Sequence, residues 1–294
     1  MKAALLPDRG VVKVTGEEAR KFLNGLVTSD LVNLASGSSC FAALLTPQAK
    51  IIADFIIVEA EPDDGGGFFL DCPRALTTAL IERLNFYRLR AKVAIEDRTA
   101  SLGVLALWDG ARTTEHALCY PDPRLTDLGM RCILPPEQVG AAIIDLGAHL
   151  IGADQYEAHR IALGVPRGGI DFIYTDAFPH EADMDQLNGV DFKKGCFIGQ
   201  EVVARMEHRG TARTRVVPVT YDGPPPEAGA PVMAGEQSLG MMGSAAAGRG
   251  LATLRLDRVD DALSRNTALT AGGVALRVVK PPWARFAFPG KARS

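Results

Sequence analysis

The sequence predicts an α+β fold with a small β-barrel at its C-terminal end, on three observations. Over residues 1–150, apolar strand-like runs alternate with helix-like segments. From about residue 212, short apolar segments are separated by Gly-containing turns at the spacing of a small barrel or sandwich. The stretch "YDGPPPEAGAP" holds three consecutive prolines, which prevent regular backbone hydrogen bonding there. We therefore expect mixed α+β modules in residues 1–211 and a β-barrel in residues 212–294.

Local patterns predict individual elements in the first part of the chain. Thr15 followed three residues later by Glu18 indicates a capping box, and the helix that it starts would end at Asn24-Gly25. Leu80 and Leu84 recur at helical spacing within residues 73–90. Strands are predicted at 11–14, on both sides of Pro47 in 41–60, and at 68–72, 93–95, 102–108 and 130–135. Helices are predicted at 136–150 and 154–163, the second of them capped by Asp154 with Glu157.

Composition and charge limit the classes of function. The 294 residues are 47% hydrophobic and 23% charged with a net charge of -3, which argues against nucleic-acid binding by the whole surface. The five cysteines are odd in number and the histidines are scattered, so we expect neither a disulfide framework nor a metal site. No apolar run approaches a membrane span and the first residues carry no targeting pattern. These features predict a cytoplasmic protein with no membrane partner, and we expect it to be a monomer.

The segment "VDFKKGCFIGQEVVARMEHRG" at residues 190–210 contains a cysteine in a polar setting. If a helix begins at Gly199, Cys196 lies just before its positive end and close to Lys193 and Lys194, which would favour a reactive thiolate. The alternative is that Cys196 packs inward beside Phe197 as a small apolar side chain. Residue spacing alone does not decide between these two interpretations.

The same region is locally basic. Residues 191–215 hold six cations against three anions, an excess of three positive charges in a chain whose net charge is -3. Clustered cations suit an anionic small ligand or a phosphate backbone. The alternative is an ordinary solvated helix followed by the polar face of a strand.

"KGCFIGQE" at residues 194–201 resembles the K-G-C-[FY]-x-G-Q-E signature of the YgfZ family of folate-binding proteins, which is related to the glycine cleavage T-protein. Four further segments extend the resemblance over nearly the whole chain: "FLNGLVTSDLVNL", "YRLRAKVAIED", "HRIALGVPRGGID" and "SAAAGRGLATLRLDR". Asn24 stands where the family commonly has Gln.

The resemblance implies two intertwined α+β modules that form a T-protein-like folate-binding region, residues 1–211, followed by the barrel. It implies an accessory factor that binds tetrahydrofolate or a derivative and serves assembly or repair of iron-sulfur enzymes, including those that modify tRNA. Its partners would be iron-sulfur client or assembly proteins. Cys196 would be the functional thiol. The expected folate-binding residues are Asp54, Asp127, Lys194, Gln200, Glu201 and Arg205.

Two alternatives stay open at this point. In the T-protein the signature resembles K-G-D-F-I-G-R-E, and its Asp-Asp pair is reduced to Ala53-Asp54 here, which argues against aminomethyl transfer. A folate-dependent one-carbon transferase would use Asp54 to orient the folate and Cys196 as acceptor or nucleophile. Asp54 could equally be a strand residue that caps a neighbouring turn. An RNA-binding module would use the basic stretch, but no aromatic residue that could stack on bases is interleaved among its arginines, so direct nucleic-acid binding is not expected.

Overall fold

A computed structural model describes residues 1–35, 37–62, 65–210 and 212–290. The chain forms two compact units. The first consists of Met1–Tyr156 and Asn188–Gln200, and the second of Glu157–Leu187 and Glu201–Ser294. The chain thus leaves the first unit, returns to it and leaves again. The division of the chain into a folate-binding region, residues 1–211, and a barrel domain, residues 212–294, stays a prediction.

Two sheets form the framework of the first unit. Its strands are β1 (Lys2–Leu5), β2 (Arg9–Thr15), β3 (Ser39–Leu45), β4 (Ile51–Glu59), β5 (Phe68–Pro73), β6 (Ala94–Asp97), β7 (Gly103–Trp108), β8 (Leu118–Pro121), β9 (Met130–Leu134) and β10 (His149–Leu150). One five-stranded sheet has the order β3-β4-β5-β2-β6 and the other the order β10-β1-β7-β9-β8. Helices α1 (Ala19–Asn24), α2 (Thr77–Arg88) and α3 (Val139–Leu146) belong to the same unit.

Burial explains why the predicted strands and helices form where they do. Residues 53–58 of β4 are buried without interruption, as expected of a strand with both faces covered. In α2, Leu80 and Leu84 are buried and Tyr87 packs against the same core, which confirms the helical spacing seen in the sequence. The β3–β4 hairpin and the neighbouring α1 therefore rest on one apolar core.

The structure corrects the expectation about disulfides. Cys119 on β8 and Cys132 on β9 are register partners with Cα atoms 4.1 Å apart, and they form a disulfide. Their pairing depends on the alignment of two antiparallel strands, which cysteine spacing does not reveal. Cys40, Cys72 and Cys196 are free.

Both predicted capping boxes are wrong. Thr15 is the last residue of β2, and α1 begins at Ala19 without a side-chain cap. The Glu18 carboxylate instead accepts a hydrogen bond from the backbone N–H of Lys92 at 2.8 Å. Asp154 lies inside the first turn of α4 (Ala153–Ala162) rather than before it. In the Glu18 case, a partner distant in sequence replaces the local cap.

The second unit contains the C-terminal barrel that the sequence predicted. Its strands are β11 (Thr214–Tyr221), β12 (Pro231–Ala234), β13 (Gln237–Ala246), β14 (Arg249–Arg255), β15 (Leu269–Ala271) and β16 (Val274–Val278). They close in the order β11-β14-β13-β12-β15-β16. The barrel is not purely β, because α6 (Leu256–Ser264) follows β14 and buries Val259 and Ala262 in the barrel core. Helix α5 (Gln200–Arg209) precedes the barrel.

Within the described ranges, no helix has the length and apolar character needed to cross a bilayer.

Candidate functional site

The signature segment forms a loop of the first unit that ends where α5 begins. Residues 191–199 contain neither strand nor helix, and the first helical residue is Gln200. Cys196 is exposed and free, four positions before the helix. Phe197, by contrast, is buried. The inward-packed interpretation of Cys196 is therefore wrong, and its thiol is open to solvent.

Lys194 fixes this loop to another part of the first unit. Its side-chain Nζ donates hydrogen bonds to the backbone carbonyl oxygens of Asn24 at 2.7 Å, Val27 at 2.8 Å and Ser29 at 2.8 Å. The residue is only 8% exposed, so these bonds are shielded from water. Burial lowers the pKa of Lys194 to about 8, while the carboxylates of Asp30 and Asp191 oppose that change. An ammonium has three N–H donors and no acceptor, so the three carbonyls match its capacity.

Thr28 makes a second connection between the same two segments. Its hydroxyl donates to the carbonyl of Gly189 at 2.6 Å and accepts from the backbone N–H of Ala43 at 2.9 Å. The backbone N–H of Asp191 donates to the carbonyl of Thr28 at 3.0 Å. The residues before the signature are therefore held on the turn that follows α1.

Gly199 closes the loop against the β3–β4 hairpin. Its φ is +82°, in the region that favours glycine. A Cβ at this position would lie 2.8 Å from the carbonyl oxygen of Thr46 and 3.0 Å from the Cα of Ala49. Among the described residues, a Cβ at Gly195 would meet nothing within 4 Å. The loop is thus anchored at Lys194, Phe197 and Gly199, while Gly195 and Cys196 face outward.

The other predicted residues near the signature lie on the surface of α5. Glu201 and Arg205 form an i,i+4 ion pair with 2.6 Å between the Glu201 Oε1 and an Arg205 guanidinium nitrogen. Their side chains are 86% and 56% exposed, so the pair contributes little to stability. Gln200 is half-buried at the first position of the helix. Roles for these three residues in folate binding stay predictions.

Asp54 and Asp127 are placed on other elements. Asp54 is buried on β4 opposite Ala43 of β3. Although burial disfavours the charge of Arg9, the pKa of that guanidinium is raised, and attraction to Asp71 and then to Asp54 contributes to the increase. Asp127 is exposed in a single turn of 3₁₀ helix, Thr126–Leu128. Folate contacts by either residue stay predictions.

Sequence reasoning missed a cavity of about 460 Å³ beside the signature loop. Its lining residues are Ser29, Asp30, Cys40, Asn188, Val190, Asp191, Phe192 and Lys193. Burial raises the pKa of the Cys40 thiol to about 12, although the charge of Lys194 opposes the shift. The volume of the cavity falls within the usual range of small-molecule sites. Two of the lining residues, Ser29 and Asp30, lie in the segment "FLNGLVTSDLVNL" that resembles the family, and this resemblance is the sequence signal that points to the cavity.

Comparison with known proteins first establishes the class. The whole chain is similar to a glycine cleavage system aminomethyltransferase T from Bartonella henselae, with a TM-score of 0.74 over 98% of this chain and 87% of that one. At 16% sequence identity this likeness concerns the fold. Residues 213–286 match the family model of the CAF17 C-terminal beta-barrel domain. The molecule is thus a T-protein-like α+β protein with a CAF17-type barrel.

Sequence relatives then identify the family. The human iron-sulfur cluster assembly factor IBA57, mitochondrial, is 31% identical over 304 residues, which cover 95% of this chain and 84% of the human protein. The Mycosarcoma maydis homolog is 33% identical and covers 77% of this chain. This chain belongs to the IBA57 family, which confirms the resemblance found in the signature. The alignments span a little more than half the length of the fungal relatives, 59% in Mycosarcoma maydis and 54% in Neurospora crassa.

The expected cytoplasmic location is wrong. The human and fungal relatives are named as mitochondrial proteins. The prediction depended on the lack of a recognisable targeting pattern in the first residues of the sequence.

Proposed function

We propose that this protein is an accessory factor in the assembly or repair of iron-sulfur enzymes, including those that modify tRNA, and that it binds tetrahydrofolate. Its membership in the IBA57 family supports the iron-sulfur role, since the human relative is named an assembly factor. The observation that carries the proposal is Cys196, an exposed thiol on a loop that is anchored on both sides. Thiolates are the usual protein ligands of iron-sulfur clusters.

The anchored loop explains how such a thiol would serve a partner protein. Lys194 and Gly199 hold the backbone on the two sides of Cys196, so little conformational entropy is lost when the thiol engages a partner. The cluster would be cargo shared with that partner. The thiol would bind iron as a thiolate, after release of its proton.

The cavity beside the loop has groups that suit a folate. A pterin offers ring N–H donors, and the carboxylates of Asp30 and Asp191 are acceptors. The ammonium of Lys193 suits the carboxylates of a glutamate tail. We propose this cavity as the folate site of the first unit. Lys194, by contrast, already donates to three carbonyls and would act on the ligand only through the loop.

Replacement of Cys196 tests the iron-sulfur role. We expect Cys196→Ser to fold normally and to fail in restoring iron-sulfur enzyme activity to cells that lack the native protein. Gly195→Ala is the matched control, because a methyl group there meets nothing within 4 Å. Full restoration by the serine variant would reject Cys196 as the functional thiol.

Ligand binding tests the folate site separately. Saturating tetrahydrofolate should raise the melting temperature, because a ligand that binds only the native state stabilises it by mass action. Asp191→Asn should reduce that shift while the unliganded melting temperature stays close to that of the unmodified protein. An equal shift in both proteins would place the folate elsewhere. Mass spectrometry of mixtures with one-carbon donors would show whether the transferase alternative holds.

A further inference from the structure

A cluster of histidine and carboxylate side chains lies in the second unit. His180 and Asp185 come from the segment before the signature, and Glu207 comes from α5. One potential ligand atom from each of the three lies within 4.8 Å of the other two. Their sequence spacing matches no metal motif, so the cluster exists only in the folded chain.

The side chain of His180 is buried and lies next to the carboxylate of Glu207. Its side chain is 2% exposed, and its Nε2 lies 3.1 Å from the Oε2 of Glu207. Glu207 is 46% exposed, so its carboxylate can move. An imidazole beside a carboxylate offers two donor groups that divalent transition metals bind, since the neutral imidazole supplies a nitrogen and the carboxylate an oxygen.

Arg215 organises the acidic side of the cluster. Its guanidinium donates to both carboxylate oxygens of Asp185 at 2.9 Å. The Nη1 of Arg215, which is one of these two donors, also donates to the Oδ1 of Asp183 at 2.9 Å and to the carbonyl of His180 at 2.9 Å. The Oδ2 of Asp185 also accepts from the Nε2 of Gln186 at 2.6 Å, and the second lone pair of its Oδ1 can bind a cation.

The second oxygen of Asp183 points to a missing ligand. Asp183 is fully buried, and among the described residues its Oδ2 has no hydrogen-bond partner. The other oxygen of Asp183 shares the Arg215 Nη1 with Asp185, which places Asp183 beside the cluster. A buried oxygen without a partner costs about 1–3 kcal/mol, and an ion with its bound water would remove that cost.

We propose that His180, Asp185 and Glu207 bind one divalent transition-metal ion. One imidazole and two carboxylates suit Mn²⁺, Fe²⁺, Co²⁺ or Zn²⁺. Ligand atoms in a tetrahedral site lie about 3.4 Å apart, given metal–ligand distances of about 2.1 Å. The His180 Nε2 and the Glu207 Oε2 are already 3.1 Å apart, and a rotation of the exposed Glu207 side chain would adjust its distance to Asp185. The ion would tie α5 to the segment that contains His180, a role separate from that of Cys196.

Cobalt and zinc titrations of the full chain would test this site. The titrations use a Cys196→Ser background, so that the exposed thiol cannot bind the probe. We expect one Co²⁺ per chain with an absorption spectrum that lacks thiolate charge transfer, displacement by Zn²⁺, and a higher melting temperature in the presence of Zn²⁺.

Variants separate this site from adventitious binding. Glu207→Gln should weaken Co²⁺ binding at least tenfold, and folding should persist because Glu207 is partly exposed. His180→Asn should do the same if circular dichroism shows a native spectrum. His208→Gln, one residue further along α5 and exposed, is the matched control and should bind like the background protein. Binding that is absent from the background protein, or equally strong in Glu207→Gln, would overturn the proposal.

Discussion

Lys194 and Cys196 are separated by one residue, yet they have opposite environments. The Lys194 ammonium is buried and donates to three carbonyl oxygens from 165 to 170 residues earlier in the chain. The Cys196 thiol is exposed and free. One short motif therefore combines a residue that holds the loop in place with a residue that the loop exposes to solvent. Stability measurements should separate these roles, because a shaping residue affects unfolding and a presented residue does not.

Lys194→Ala should have the largest effect on stability. The substitution removes three charge-assisted hydrogen bonds and leaves three shielded carbonyls, and we expect the free energy of unfolding to fall by about 3–5 kcal/mol. Urea denaturation followed by circular dichroism measures this loss. A decrease below about 1 kcal/mol would show that the anchoring bonds add little net stability.

Gly199→Ala should have the next largest effect. The new Cβ must adopt a φ of +82° and approach the carbonyl oxygen of Thr46 to 2.8 Å, so we expect a loss of about 2–3 kcal/mol. Gly195→Ala is the paired control and should change the free energy of unfolding by less than about 0.5 kcal/mol. Equal effects at the two glycines would mean that the loop is not seated on the β3–β4 hairpin as described.

Arg205→Ala should have a small effect. Its ion pair with Glu201 is exposed, so we expect a loss of about 0.3–0.5 kcal/mol that disappears at high salt. Denaturation at low and high ionic strength measures this difference. A loss above about 1 kcal/mol at both salt concentrations would assign Arg205 a packing role.

Cys196→Ser should leave stability unchanged within about 0.5 kcal/mol, as expected for an exposed side chain. In the unmodified protein, iodoacetamide near neutral pH should label Cys196 faster than Cys40 or Cys72, which are less accessible thiols. Peptide mapping by mass spectrometry measures the relative rates. Faster labelling of Cys40 would show that the reactive thiol is the one in the cavity beside the loop.

Local patterns were sufficient for much of the fold. The helical spacing of Leu80 and Leu84 predicted α2, and the Gly-separated segments predicted the strands of the barrel. These elements depend on periodicity and turn chemistry, which neighbouring residues set. The signature also identified the family, and the exposed setting of Cys196 agrees with the polar residues around it.

The sequence alone was sufficient to predict the fold class, the order of most elements and the segment that contains Cys196, the proposed functional thiol. Tertiary structure decided the partners of Lys194, the pairing of Cys119 with Cys132, the cavity that includes Cys40, and the meeting of His180 with Glu207. It also replaced the local cap of Glu18 by a contact with Lys92, 74 residues away. Each of these contacts joins groups from separate parts of the chain. Their alignment depends on strand register and on the packing of cores, which no local pattern encodes.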